Sequence, residues 1–149
     1  MSSLPTRGMR DLTGAQKTFL IGTMVWIFLQ ISRFIALVLI NDIDAGAASE
    51  AWRFPAYLDL LAAVFAAPLI WATWARRGLM TWSALVIYWA ISIVDHTGNF
   101  VTTTFVGPPS IADGQSNPLM VPIIQTVFDV LFLWLLFVPR YRAWFFSIR

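Results

Sequence analysis

Ionisable side chains stand inside four long apolar runs, and no other feature of the sequence limits the fold so strongly. Residues 15–40 read AQKTFLIGTMVWIFLQISRFIALVLI and carry Arg33. Residues 56–75 carry Asp59, residues 79–104 carry Asp95 and His96, and residues 118–138 carry Asp129. About 20 apolar residues in a helix cross a hydrocarbon layer of about 30 Å. Lipid satisfies no backbone hydrogen bonds, so such segments span as helices. The expected fold is therefore all-α: an integral membrane four-helix bundle, with residues 1–149 forming one four-span domain. The first run is longer than a signal-peptide core and leads into Asn41, Asp42 and Asp44 rather than a small-residue cleavage site, so it is expected to stay in the mature protein.

Composition agrees. With 58% hydrophobic and 12% charged residues, the chain is neither an ordinary soluble globule nor a disordered segment. With no Cys it has no disulfide framework or thiolate metal site. Lys and Arg form no stripe, so nucleic acid is not an expected partner. Their distribution instead suggests orientation. Arg7, Arg10, Lys17, Arg76, Arg77, Arg140, Arg142 and Arg149 fall on one side of the spans, and Arg53 alone falls on the other. The positive-inside rule then places both termini in the cytoplasm and residues 41–54 and 105–117 outside. Arg76, Arg77 and Gly78 are expected to form a tight turn, and Pro68 to kink its helix or mark packing against a neighbour. Trp52 and Tyr57 at one boundary, and Trp71, Trp74, Trp82, Tyr141 and Trp144 at the other, suit interfacial belts.

The intramembrane charges are costly, at about 2.5 to 3.5 kcal/mol each on insertion scales, and must face protein or water. Arg33, Asp59, Asp95 and His96 fall at similar depth towards the outer side, with Asp129 nearer the middle. On the third run Tyr88, Ser92, Asp95, Asn99 and Thr102 recur at steps of four and three and share one face. Pro118, Pro122, Gln125 and Asp129 do the same on the fourth, as do Trp26, Gln30 and Arg33 on the first. Three such stripes are expected to converge on a cavity open towards the outside, with His96 joining only from its edge. Asp59, close to a helix start, is expected to snorkel towards the interface. Trp134 shares no face with Asp129 and is expected to face lipid, whereas Trp26 is expected to line the cavity. Gly98 and Ala62, Ala63, Ala66 and Ala67 read as close-packing surfaces.

One Arg against three Asp leaves an uncompensated charge, so at least one Asp is expected to be protonated at neutral pH while Arg33 pairs with another. A neutral carboxylic acid beside a fixed cation is a proton donor. The sequence therefore suggests a membrane protein that binds a small lipophilic ligand and performs acid-base chemistry on it: isomerisation, cyclisation or hydration. Asp95, Asp129, Arg33 and His96 are the candidate catalytic residues. Asp59, Asn99, Gln125, Tyr88, Trp26 and Ser92 are the candidate ligand-binding residues. Two alternatives fit the same residues: an accessory subunit of a larger membrane complex, or a homo-oligomer, in which the polar groups are glue between helices, and proton-coupled transport. A single His and the absence of nucleotide, zinc-protease and serine-hydrolase motifs point to no cofactor and no metal.

Overall fold

The computed structural model describes residues 12–75, 78–112 and 117–146. The turn expected at Arg76 and Arg77, the basic residues Arg7, Arg10 and Arg149, and residues 113–116 of the third connection lie outside the described residues. Among the described residues every regular element is a helix. Four helical segments are long and apolar enough to cross a membrane: Gly14–Asp44, Glu50–Ala75, Leu79–Val106 and Met120–Phe137.

The first segment is not one uniform helix. It is α1 (Gly14–Leu29), a 3-10 stretch (Gln30–Ile35) and α2 (Ala36–Asp44). At the start of α1 the Thr13 hydroxyl accepts from the Gln16 amide N–H, and Gln16 returns its side-chain carbonyl to the Thr13 N–H, a reciprocal cap that satisfies two otherwise orphaned donors. At the change of helix type the Ser32 hydroxyl donates to the Leu29 carbonyl at 2.8 Å, a side-chain bond of the kind that bends helices. An α-helix turns about 100° per residue and a 3-10 helix about 120°. Positions three apart therefore stay in line through the tightened stretch. Ile27, Gln30, Arg33, Ala36 and Leu39 are accordingly all buried, and Arg33 points into the bundle.

The chain reverses after Asp44 through Gly46, whose φ of 74° suits glycine. Arg53 then donates to Asp44 and Glu50 at 2.7 Å each, joining the end of α2 to the start of α3 (Arg53–Ala75). Pro55 falls in the first turn of α3, where a missing N–H costs nothing. α3 runs through Pro68 to Ala75, and Pro68 faces outward rather than into a neighbouring helix. Ala62, Ala63 and Ala66 are buried as expected of a packing face, but Ala67 is exposed. Gly98 lies against Pro55, whose Cγ would be 3.9 Å from an added Cβ.

α4 (Leu79–Val106) packs between α3 and α5 (Met120–Phe137). It stops at Gly107, which has a φ of 102° and is followed by Pro108 and Pro109. α1 meets α5 through large side chains. The Trp26 ring lies 4.7 Å from Phe128 and 6.5 Å from Phe132, and Gly22 faces Phe132. Residues 139–146, which read as a tail in the sequence, form α6 (Pro139–Phe146). α6 folds back on the bundle end: Gln16 donates to the Arg140 carbonyl at 2.9 Å and Phe19 stacks on Tyr141 at 4.6 Å.

The belt expectation is corrected at three tryptophans. Trp52 and Trp144 are buried, and Trp82 gives its N–H to the Leu136 carbonyl at 2.9 Å. Trp71, Trp74 and Tyr57 are exposed, and Trp134 is 61% exposed. Towards the α6 end the interior is apolar, built from Leu20, Ile27, Ala66, Leu85, Trp89 and Leu136. Between that core and a second apolar cluster at the opposite end, formed by Ala36, Leu39, Ile43, Trp52 and Ala56, the interior is polar.

Candidate functional site

The polar interior is organised around one guanidinium. Arg33 Nη1 lies 2.8 Å from Asp95 Oδ2 and 3.2 Å from Asp59 Oδ1. Nη2 donates to Ser92 Oγ at 2.9 Å and to His96 Nε2. Four of the five N–H groups of Arg33 thus serve residues on α3 and α4, a set that no single ammonium could match. Arg33, Ser92, Asp95, His96 and Asp129 are all buried. Asp59 is 24% exposed, so its carboxyl connects the buried cluster to the protein surface.

Asp129 forms the floor of the cluster. Its Oδ1 accepts from the Trp26 indole N–H at 2.7 Å, and its Oδ2 lies 3.2 Å from His96 Nε2. Arg33 can only donate. When its Nη2 donates to Nε2, that nitrogen is an acceptor and the imidazole proton sits on Nδ1. That single lone pair is then taken by Arg33, and Asp129 Oδ2 is buried beside it without a hydrogen-bond partner of its own among the described residues.

A cavity of about 240 Å3 lies over this cluster and is lined from α2, α3, α4 and α5. Its walls include Arg33, Asp59, Asn99, Gln125, Trp52 and Ser32. Asp95 Oδ1, Gln30 Oε1 and Arg33 Nε are buried nearby without a partner among the described residues.

The structure brings together Arg33, Asp59, Ser92, Asp95, His96, Asp129 and Trp26, and lines the cavity with Asn99 and Gln125. Four expectations are corrected. His96 is central rather than peripheral, because α4 packs against both α3 and α5 and so buries a second stripe through Trp89 and His96 beside the one through Ser92 and Asp95. Asp59 is an ion-pair partner rather than a snorkelling residue, because the 3-10 stretch aims Arg33 at it. Tyr88 is buried away from the cavity and donates its hydroxyl to the Ala62 carbonyl at 3.2 Å. Trp26 serves Asp129 rather than the cavity wall. Trp52, Ser32 and Thr103 line the cavity unforeseen. The Trp52 contact is made between elements and leaves no trace in helical spacing. Comparison with protein-family models, with curated proteins and with solved structures finds no match, so the site's own chemistry carries the functional reading.

Proposed function

We propose that this chain is a four-span membrane protein with both termini in the cytoplasm and the cavity facing outward, which binds a small unsaturated lipophile there and performs acid-base chemistry on it. The observation that carries the reading is the Asp59 carboxyl: held at 3.2 Å by Arg33, partly exposed, and set in the wall of the 240 Å3 cavity. Asp95, wholly buried at 2.8 Å from the same guanidinium, shares Arg33 with it. Asp59 is the carboxyl that meets the ligand, and on this reading it must enter the reaction protonated. Isomerisation, cyclisation and hydration share one first step, addition of a proton to a carbon–carbon double bond. Asp59 supplies that proton, Arg33 stabilises the carboxylate left behind, and Asn99 and Gln125 orient the ligand's polar group. For an isomerisation the Asp59 carboxylate then removes a proton from the neighbouring carbon and is regenerated.

The interior towards α6 supports this reading over proton transport, because Leu20, Leu85, Trp89 and Leu136 dominate it and the buried polar groups there, Thr23, Thr73 and Thr81, are hydroxyls rather than ionisable side chains. The experiment is native mass spectrometry of the protein extracted in mild detergent from its own membranes, beside a Ser32→Trp variant that fills the cavity. A lipophile retained by the wild type and absent from the variant supports the reading. A stoichiometric protein partner in place of a lipophile supports the subunit alternative.

A further inference from the structure

A second opening reaches the cluster from a different direction. Between α4 and α5 a groove of about 250 Å3 is lined by His96, Thr97, Phe100, Pro122, Ile123, Thr126 and Val127. Only His96 is common to the groove and the buried cluster. Phe100, Ile123 and Val127 are exposed on the outer face of the bundle, the face that meets hydrocarbon if the four helices span a membrane.

The groove's hydrogen-bond donors are few. Thr97 gives its hydroxyl proton to the Ile93 carbonyl at 2.8 Å, and Thr126 gives its own to the Pro122 carbonyl at 2.7 Å. His96 differs from both. Its Nε2 accepts from Arg33, but its Nδ1 is buried without a hydrogen-bond partner, and the nearest carboxylate oxygen, Asp95 Oδ2, is 3.8 Å away. Because Nε2 accepts from Arg33, which can only donate, the ring hydrogen sits on Nδ1. A buried N–H left unsatisfied costs about 1 to 3 kcal/mol, and one beside hydrocarbon has no water to turn to.

We infer that the groove between α4 and α5 is a lateral binding site for a lipophile carrying a carbonyl oxygen, which enters from the bilayer and accepts a hydrogen bond from His96 Nδ1. The apolar walls suit the hydrocarbon part and the imidazole supplies the one uncommitted donor. A partner helix fits less well, because its backbone carbonyls are already bonded within the helix. The site does not depend on the outward cavity or on acid-base turnover there.

The chain has one histidine, so 15N-histidine labelling reads His96 alone. The protein in nanodiscs is titrated with 2-undecanone and, separately, with undecane, while the Nδ1–H resonance is followed. The ketone is expected to shift that resonance downfield in a saturable way and the alkane to leave it in place. Val127→Trp, a substitution on the exposed groove wall, is expected to raise the half-saturating ketone concentration at least about tenfold, equivalent to about 1.4 kcal/mol. Val121→Trp, in the wall of the outward cavity, is expected to leave it unchanged. No ketone shift, an equal shift with undecane, or a shift abolished by Val121→Trp but kept in Val127→Trp would overturn the proposal.

Discussion

Arg33 is held by four acceptors at once, and the consequences of changing it follow from donor geometry. Arg33→Lys keeps the charge but supplies three donors from one nitrogen, so it cannot serve Asp59, Asp95, Ser92 and His96 together. Arg33→Met leaves buried carboxylates without a cation, a change of the class that costs about 3 to 5 kcal/mol. We expect Arg33→Met to lower the thermal stability of the detergent-solubilised protein strongly, and Asp95→Asn added to it to recover part of the loss. Trp26→Phe removes the donor to Asp129 Oδ1 while keeping an aromatic ring in place. Its expected cost is about 1 to 3 kcal/mol, the range for stranding a buried acceptor, read by the same melting measurement. Several of these residues were legible in the sequence, because charge inside an apolar run has few explanations and the i, i+3, i+4 spacing gives a direction. Spacing gives no distance, however, so Tyr88 on the stripe of Asp95 read as a site residue although its hydroxyl is taken up by the Ala62 carbonyl.

At the level of elements, the 3-10 stretch Gln30–Ile35 sets the direction of Arg33, and α6 closes the opposite end. One Ala inserted after Leu29 turns everything that follows by about 100°, moving Arg33 off the line of Ile27. The same insertion after Ala47, in the exposed connection, disturbs no buried side chain. The first insertion is expected to abolish a monodisperse folded species in size-exclusion chromatography and the second to preserve it. Trp144→Ala on α6 empties a buried site and should cost about 3 to 5 kcal/mol, whereas Trp134→Ala, on an exposed face, should change stability little. Run lengths made the four long helices legible. Helix type and the fold-back of α6 were not, since a six-residue change of winding leaves hydropathy untouched and the basic residues of α6 mask its buried aromatic pair.

For the whole molecule, the proposed orientation puts the cavity on one side of the membrane and the α6 end on the other. The chain has no Cys, so single cysteines report topology without background. Ala47→Cys should react with an impermeant maleimide on intact cells, and Ala143→Cys only after permeabilisation. The most direct measurement of the acid-base claim uses solvent deuterium. The purified protein is incubated in D2O with the lipophile that leaves its own membranes with it, and non-exchangeable deuterium in that molecule is read by mass spectrometry. The account predicts one deuterium on carbon with the wild type and none with Asp59→Asn. A ligand recovered without carbon-bound deuterium from the folded wild-type protein, or labelled equally by Asp59→Asn, would contradict it.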